Sequence, residues 1–383
     1  MKAFGEFLTL DSIALGVAAT KALLERYPVP QQEIDSIIWG GVVLPSLAPN
    51  LAREIALDLK LPAHVEGMTV TRACASGLQA LTLAAAAIER GEADIVIAGG
   101  SDSTSNATVA LPSKAVHALA PLAFGKASGF GDYLGVLSQL MPVTEVIPKM
   151  PRIAERTTGE VMGESAEKMA TRNGVTREEQ DALAARSHQL AAKAHASGRL
   201  DREIAAVETE GGIVAADGIT RGDTSVEKLA KLRPVFAKNG TITAGNATPL
   251  TDGAAAVLLM SEEKARALGF KPLAAFRSWS YTAVDPTDQL LIGPALAVPK
   301  SLERAGLELS DVGLVDFHEA FAAQVLSVVK ALGSDAFARE RLGRDKAVGE
   351  IDEARFNVLG GSIAFGHPFA ATGARMVTSL AHE

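Results

Sequence analysis

The chain holds one cysteine, Cys74, in the run TRACASGLQALTLAAAAIERG from Thr71 to Gly91. It falls at a strand-to-helix turn. The apolar run GMTV leads in, and Leu78, Leu81, Ala85 and Ile88 then share one helical face that Gly91 closes. Unpaired amides and the dipole at a helix start favour an anion, so the sequence predicts a thiol of lowered pKa, suited to nucleophilic attack. Gly77 would let another backbone come close, and the layout follows the logic of the elbow that exposes a hydrolase serine. The other reading of the same stretch is a small, buried, apolar cysteine; the stretch itself supports the two equally.

A thiolate nucleophile needs a base and donors for a developing oxyanion. Two of the seven histidines have a context for this. His367 stands in the Gly-rich turn of NVLGGSIAFGHPFAATGAR, ahead of a helical pattern. His318 stands where the strand pattern of GLVDFHEAFAAQ gives way to a helix. Both lie at the carboxyl ends of predicted strands, where open α/β sheets collect ligands. A hydrogen-bonded core histidine is the alternative for each. His188 and His195 share one helix face, which reads as solvated rather than metal-binding, and no metal centre is predicted. His64, His117 and His382 have no supporting context.

The elements that must position these groups alternate in the outer thirds. IDSIIWGGVV, GMTVTRA and ADIVIAGG read as buried strands, separated by LAREIALDLKL and the helix after Cys74. The last third repeats the scheme with GAAAVLLM, LAAFRSWS, DVGLVDFHEA and NVLGGSIAF. Apolar strands alternating with helices imply sheets covered on both faces. The helix SIALGVAATKALLERY leads through PQQEID to a strand, and LIGPALAVPKSLERAGL leads through ELSDVG to another. This weak internal repeat suggests two related α/β halves, with the His367 turn the counterpart of the Cys74 turn. The middle is richer in charge. Its clearest helix has a Thr176/Glu179 capping box and a Gly198 stop. FGDYLGVLSQLMPVTEVIPKMP reads as a packed loop region or as a lid over an apolar ligand.

The bulk numbers set limits. A chain of 383 residues that is 48% hydrophobic can bury a large core, and with only 5% aromatics that core is aliphatic. A net charge of -8 argues against general affinity for nucleic acid or anionic membrane surfaces. One cysteine makes no internal disulfide, no apolar run approaches the ~20 residues of a spanning helix, and the first residues lack a signal-peptide pattern. A soluble intracellular protein is expected. NGTITAGNATPLTDGAAAVLL is too irregular for a dinucleotide fingerprint and lacks the Walker lysine. Upstream of it Arg221, Lys228, Lys231 and Arg233 form either a phosphate-binding patch or ordinary surface charge.

Taken together, these stretches resemble the thiolase family. RACASG looks like its nucleophile motif, GNATPLTDGAAAV its central CoA-side motif and GGSIAFGHPFAATGAR its Gly-His-Pro motif, in the family's order over nearly the whole chain. The resemblance implies a thiolase fold: two similar βαβαβαββ halves in a five-layered α/β/α/β/α arrangement with an inserted loop domain. It divides the chain into residues 1–119, 120–243 and 244–383, and implies a homodimer or a dimer of dimers. HEAF in place of Asn-Glu-Ala-Phe, with the long GSDAFARERLGRDKAVGEIDEARFNVLGG stretch, is similar to the thiolase subunit of fatty-acid-oxidation multienzyme complexes. That likeness implies a hydratase/dehydrogenase α subunit as partner, in a bacterial cytoplasm or a eukaryotic mitochondrial matrix. Val161-Met162-Gly163 replaces the His-Met-Gly of short-chain biosynthetic thiolases, which favours an apolar acyl tunnel.

Carried over by position, Cys74 is the acylated nucleophile, and His367 takes its proton and then hydrogen-bonds the thioester oxygen. His318 completes that oxyanion hole, and the Cys74 amide serves a second. Met162 and Phe321 line the site; Arg221 and Thr248 lie along CoA, a co-substrate rather than a bound cofactor. The implied reaction is thiolytic cleavage of a 3-ketoacyl-CoA. The family's second cysteine, in Cys-X-Gly, has no counterpart here, and the usual opening strand with Arg-Thr-Pro is absent. The expectation is a chain truncated at both ends, poor in turnover and prone to expose sheet edges. The rival readings are an acetoacetyl-CoA thiolase, a ketoacyl or 3-hydroxy-3-methylglutaryl-type synthase, and a non-catalytic acyl-CoA-binding scaffold.

Overall fold

Helix and strand alternate from the start of the chain because apolar residues recur there first at helical spacing and then in short continuous runs. In the computed structural model, which describes residues 1–148 and 153–383, the order is α1 (Ser12–Arg26), β1 (Ser36–Gly40), α2 (Leu51–Asp58), β2 (Glu66–Val70), α3 (Ser76–Glu89) and β3 (Ile95–Ser103). Asp11 caps α1 by accepting from the Ala14 amide at 2.8 Å. α4 (Ser113–Ala123) and α5 (Phe130–Gln139) belong to a separate compact unit, Ala107–Ile153. The last residues of the proline-bearing stretch that ends there, 149–151, lie outside the described residues.

The remainder forms the second unit, from Met1 to Asn106 and from Ala154 to Glu383. After residue 153 come α6 (Met162–Arg172), α7 (Arg177–Ala196), the hairpin β4 (Val207–Thr209) and β5 (Gly212–Val214), α8 (Val226–Leu229), β6 (Asp252–Met260) and α9 (Glu262–Ala267). Then follow α10 (Gly293–Ala305), α11 (Ala322–Leu332), α12 (Asp335–Phe337), α13 (Ser362–Phe365) and α14 (Ala370–His382).

One mixed sheet organises this unit, in the order β2-β1-β3-β6. β1 runs parallel to both neighbours, and β6 runs antiparallel to β3 from Ile95↔Met260 to Ser103↔Asp252. Period-two alternation sends Ile37, Trp39, Ile95 and Ile97 to one face, where Leu51 and Ile55 of α2 join them. Ile38, Val96 and Ala98 go to the other, against Ala80, Leu81 and Ala84 of α3 and Ala374 of α14. Each such fully buried aliphatic side chain contributes ~1.5–3 kcal/mol, so both helix layers are held by burial rather than by helix propensity. The two repeat-like connections do correspond: PQQEID carries a 3-10 turn at Gln31–Glu33, and ELSDVG one at Leu309–Asp311.

Three expectations are corrected. The last third forms no second laddered sheet among the described residues. LAAFRSWS forms no strand, DVGLVDFHEA makes only the parallel bridge Val315↔Phe356, and SIAF of NVLGGSIAF is helical. A ladder needs a neighbouring backbone about 4.8 Å away, and the first of these segments instead bonds through its side chains to carbonyls along α10. Ser278 Oγ donates to Ser301 O, Ser280 Oγ to Ala297 O and Arg277 to Ala305 O. The second correction concerns His188 and His195. On the α7 face that carries them His188 is fully buried and His195 half-buried, because the 220–224 loop and Phe365 cover it; His188 Nδ1 accepts from the Arg221 amide. The third, on the pKa of Cys74, belongs to the site. Among the described residues, no helix is long and apolar enough to cross a membrane.

Candidate active site

Cys74 sits in the turn between β2 and α3, two residues ahead of the first helical residue. Ala73 before it takes φ +44°, a left-handed conformation that costs energy in a residue with a Cβ. Ser76 holds the turn in place: its Oγ donates to Ala73 O at 2.6 Å and accepts from the Arg72 amide at 2.8 Å. His367 is presented the same way. α13 is closed by Gly366, the residue after it, at φ +87°, where a Cβ would overlap Thr251, and α14 begins three residues after the histidine, at Ala370.

Glycines bring the two turns together. A methyl on Gly77 or Gly100 would overlap the Ala370 carbonyl oxygen, and one on Gly373 would lie 2.6 Å from the Leu78 nitrogen. α3 and α14 therefore cross backbone to backbone, and their N-terminal turns meet. Asp102, fully buried at the end of β3, ties this crossing down. It accepts from the first amide of α14, Ala370, at 2.9 Å and from the Val42 and Val43 amides at 3.0 and 2.6 Å. Burial still raises its pKa to about 6, against the pull of those three donors.

The result is a 3.0 Å contact between Cys74 Sγ and His367 Nε2. His367 Nδ1 is bonded to Thr372 Oγ1 at 2.7 Å. The His318 ring lies 4.1 Å from that of His367, centroid to centroid, with its Nδ1 2.8 Å from Ser362 Oγ and its Nε2 without a partner among the described residues. Behind His318, Glu319 is buried and accepts from Ser187 Oγ at 2.7 Å, from Asn357 Nδ2 at 2.8 Å and from the Ile363 amide at 3.3 Å. Cys74, His318 and His367 each offer a ligand-type atom within 4.8 Å of the others, a sulfur-and-imidazole set of the kind that suits zinc.

Electrostatics overturn the expected lowered thiol pKa. Cys74 and His318 keep some solvent access, yet the protein packed around them withdraws most of their hydration. Burial, with a smaller push from Asp102, raises the Cys74 thiol to about 11, against its own backbone hydrogen bond. Burial, helped by the charge of Arg375, lowers His367 to about 3; burial, with His367 and Arg375, takes His318 well below its usual range. The helix start is outweighed, and the resting pair is neutral; for the thiol to donate to His367 Nε2, His367 must carry its proton on Nδ1, facing Thr372.

The other expected residues fall at varied places. Thr248 Oγ1 donates to Ser362 O at 2.7 Å, and its amide donates to Ala320 O at 3.0 Å, beside the His318 loop. Phe321 caps α11 and stacks edge-on with Phe236, 5.8 Å away, which in turn lies against Gly163 next to Met162. Arg221 is exposed on the loop whose Thr220 Oγ1 donates to Ala364 O, three residues before His367. Lys228 of the basic cluster is paired with Asp223 at 2.6 Å. Sequence reasoning missed Asp102, Glu319, Ser362, Thr372 and Arg375. For Asp102 the signal was present: a carboxylate inside the otherwise uncharged strand IVIAGGSDS. A groove of about 1160 Å³ opens behind the site, lined in part by β6, α1, α14 and residues 270–277; among the described residues β6 is an edge strand of the sheet, its first residue Asp252 paired with Met1.

Comparison with known proteins places this geometry. The thiolase N-terminal domain model matches residues 1–263 and the thiolase C-terminal domain model residues 270–383. The chain belongs to the thiolase family, an acyltransferase family, and has its fold. Among curated relatives, the 3-ketoacyl-CoA thiolase of Escherichia coli is 46% identical over 98% of this chain and 86% of the relative. That of Cronobacter sakazakii is 47% identical over the same shares. Of solved structures, human mitochondrial 3-ketoacyl-CoA thiolase in complex with CoA aligns with a TM-score of 0.80 at 30% identity, over 100% of this chain and 88% of that one.

Proposed function

We propose that this thiolase cleaves 3-ketoacyl-CoA with CoA to give acetyl-CoA and an acyl-CoA shortened by two carbons, in fatty acid β-oxidation. The observation that carries the reading is the Cys74 Sγ–His367 Nε2 contact of 3.0 Å, beside a second imidazole whose Nε2 is unpaired. The relatives' names and the CoA complex of the human protein support the substrate class.

His367 Nε2 takes the thiol proton as sulfur attacks the 3-keto carbon. The resulting alkoxide re-forms its carbonyl as the C–C bond breaks, leaving acyl-Cys74 and the enolate of acetyl-CoA. The His367 and His318 N–H groups stabilise charge on the thioester oxygen, and the proton held by His367 is available to the enolate carbon. In the second half, the CoA thiol attacks acyl-Cys74 and gives up its proton, and the released Cys74 sulfur regains one. The scheme is ping-pong. Each oxyanion donor is worth ~3 kcal/mol in reactions of this type.

Met162 and Phe321 line the acyl side, and Arg221 and Thr248 lie along CoA. The division at residues 119 and 243, a homodimer or dimer of dimers, a hydratase/dehydrogenase partner and a cytoplasmic setting belong to the same proposal. A second reading is an acyl-CoA-binding scaffold that is acylated at Cys74 without thiolysis; the thiol pushed up to about 11 favours it. Thiolysis of 3-ketoacyl-CoA substrates of several chain lengths, followed by acetyl-CoA release, tests both. Turnover on long chains supports the main reading, and acylation without release supports the second. No thiolysis and no acylation contradicts both.

A further inference from the structure

His318 and His367 are stacked neighbours, yet their second nitrogens meet different partners. His367 Nδ1 faces Thr372, a residue of its own helix start, whereas His318 Nδ1 faces Ser362 Oγ. That hydroxyl is also bonded by Arg375 Nη2, at 2.9 Å. A guanidinium only donates, so this bond occupies a lone pair of Ser362 Oγ. Ser362 is fully buried, and the only acceptor its hydroxyl hydrogen meets among the described residues is His318 Nδ1. If His318 carried its proton on Nδ1, two donors would face Ser362 Oγ and the serine hydrogen would be left with no acceptor in a dry site. Arg375 is itself fixed by stacking on Phe365, 5.6 Å from the ring centroid, and lies beside the buried Asp316 carboxylate at a small cavity.

We propose that Arg375 and Ser362 are positioning residues that hold His318 in its Nε2–H tautomer, opposite to that of His367. One imidazole then offers a lone pair to the Cys74 thiol, and its neighbour offers a preformed N–H to an oxyanion. The unpaired, buried His318 Nε2 is thus a donor kept ready for substrate oxygen rather than a defect in the packing. The same tautomer leaves Nε2 without a lone pair, so it disfavours metal capture by the Cys74, His318 and His367 set. The assignment of a role to the donor rests on the proposed thiolase reaction; the tautomer itself does not.

The test is long-range 1H–15N correlation spectroscopy on the unliganded protein labelled at histidine nitrogen, with His318 assigned by its loss in His318→Asn. The expected result is a bare Nδ1 and a protonated Nε2 at neutral pH. A protonated Nδ1 in the wild-type chain overturns the proposal, whatever the activity. Ser362→Ala is expected to give a mixture of tautomers and to lower kcat/KM about tenfold or more with KM little changed, a loss in the range seen for a weakened oxyanion donor. Ser362→Thr, which keeps the hydroxyl, is expected to restore both. An unchanged His318 signal in Ser362→Ala contradicts the relay. Should that variant fail to fold, the wild-type spectrum alone decides. If thiolysis is absent throughout while the Nε2–H signal is present, the reaction assignment fails and the tautomer assignment stands.

Discussion

The neutral resting pair makes a prediction that the helix-start reading of Cys74 does not. A thiol raised from 9.0 to about 11 has roughly 100-fold less thiolate at neutral pH than an ordinary one. His367, lowered to about 3, is not protonated at that pH and supplies no imidazolium to stabilise an anion. Alkylation by iodoacetamide follows the thiolate fraction. Because the chain has one cysteine, the modified Cys74 peptide reports the thiol reaction directly. The labelling rate should rise about tenfold per pH unit from about pH 7 to about pH 10 and show no plateau near neutrality. His367→Ala should change the rate at pH 7 by less than about threefold, because a neutral histidine contributes little to thiolate formation. A plateau reached by about pH 7, abolished by His367→Ala, would refute the reasoning and establish a thiolate–imidazolium pair.

Other perturbations address the scaffold. Gly77→Ala sets a methyl against the Ala370 carbonyl, so urea unfolding should show a loss of ~1–3 kcal/mol together with a fall in Cys74 acylation. Asp102→Ala strips three backbone amides of their acceptor and should cost ~3 kcal/mol or more by the same assay, with activity lost before the fold. Acid stability should respond to His367 in a defined sense. Its folded pKa lies below its usual 6.5, so the unfolded chain binds the extra proton between pH 6.5 and about 3, and stability from this group is lost as pH falls through that window. The stability difference between wild type and His367→Asn should therefore shrink on acidification, by up to ~5 kcal/mol, while the opposite contribution of Asp102 cancels in the comparison.

What the sequence made legible is what depends on near neighbours. Thr176 and Glu179 exchange hydrogen bonds across one turn, so the start of α7 was readable, as was its end at Gly198, φ +69°. The runs that became β1, β3 and β6 are apolar enough to be strands in any buried setting, whereas GMTV, read as buried, became the half-exposed edge strand β2. LAAFRSWS has the same composition, but a strand is made by its partner, and the pairing is non-local. His188 and His195 were misread because helical spacing identifies a shared face without saying what covers it. Cys74 was misread because the helix-start argument sees a local dipole, whereas burial depends on the chain some 290 residues away at His367. Ser362 and Arg375 left no signal at all: both stand inside the Gly-His-Pro stretch, but their chemistry exists only once α14 folds back over His318.

The claim at the centre is that Cys74 is an acyl-accepting nucleophile served by His367. Incubation with acetyl-CoA followed by peptide mapping in a mass spectrometer tests it most directly. The account predicts one acetyl group, carried by the Cys74 peptide, removed on adding CoA and not formed in His367→Ala. An unmodified Cys74 in the folded wild-type chain, or an acetyl group on any other residue alone, would contradict it.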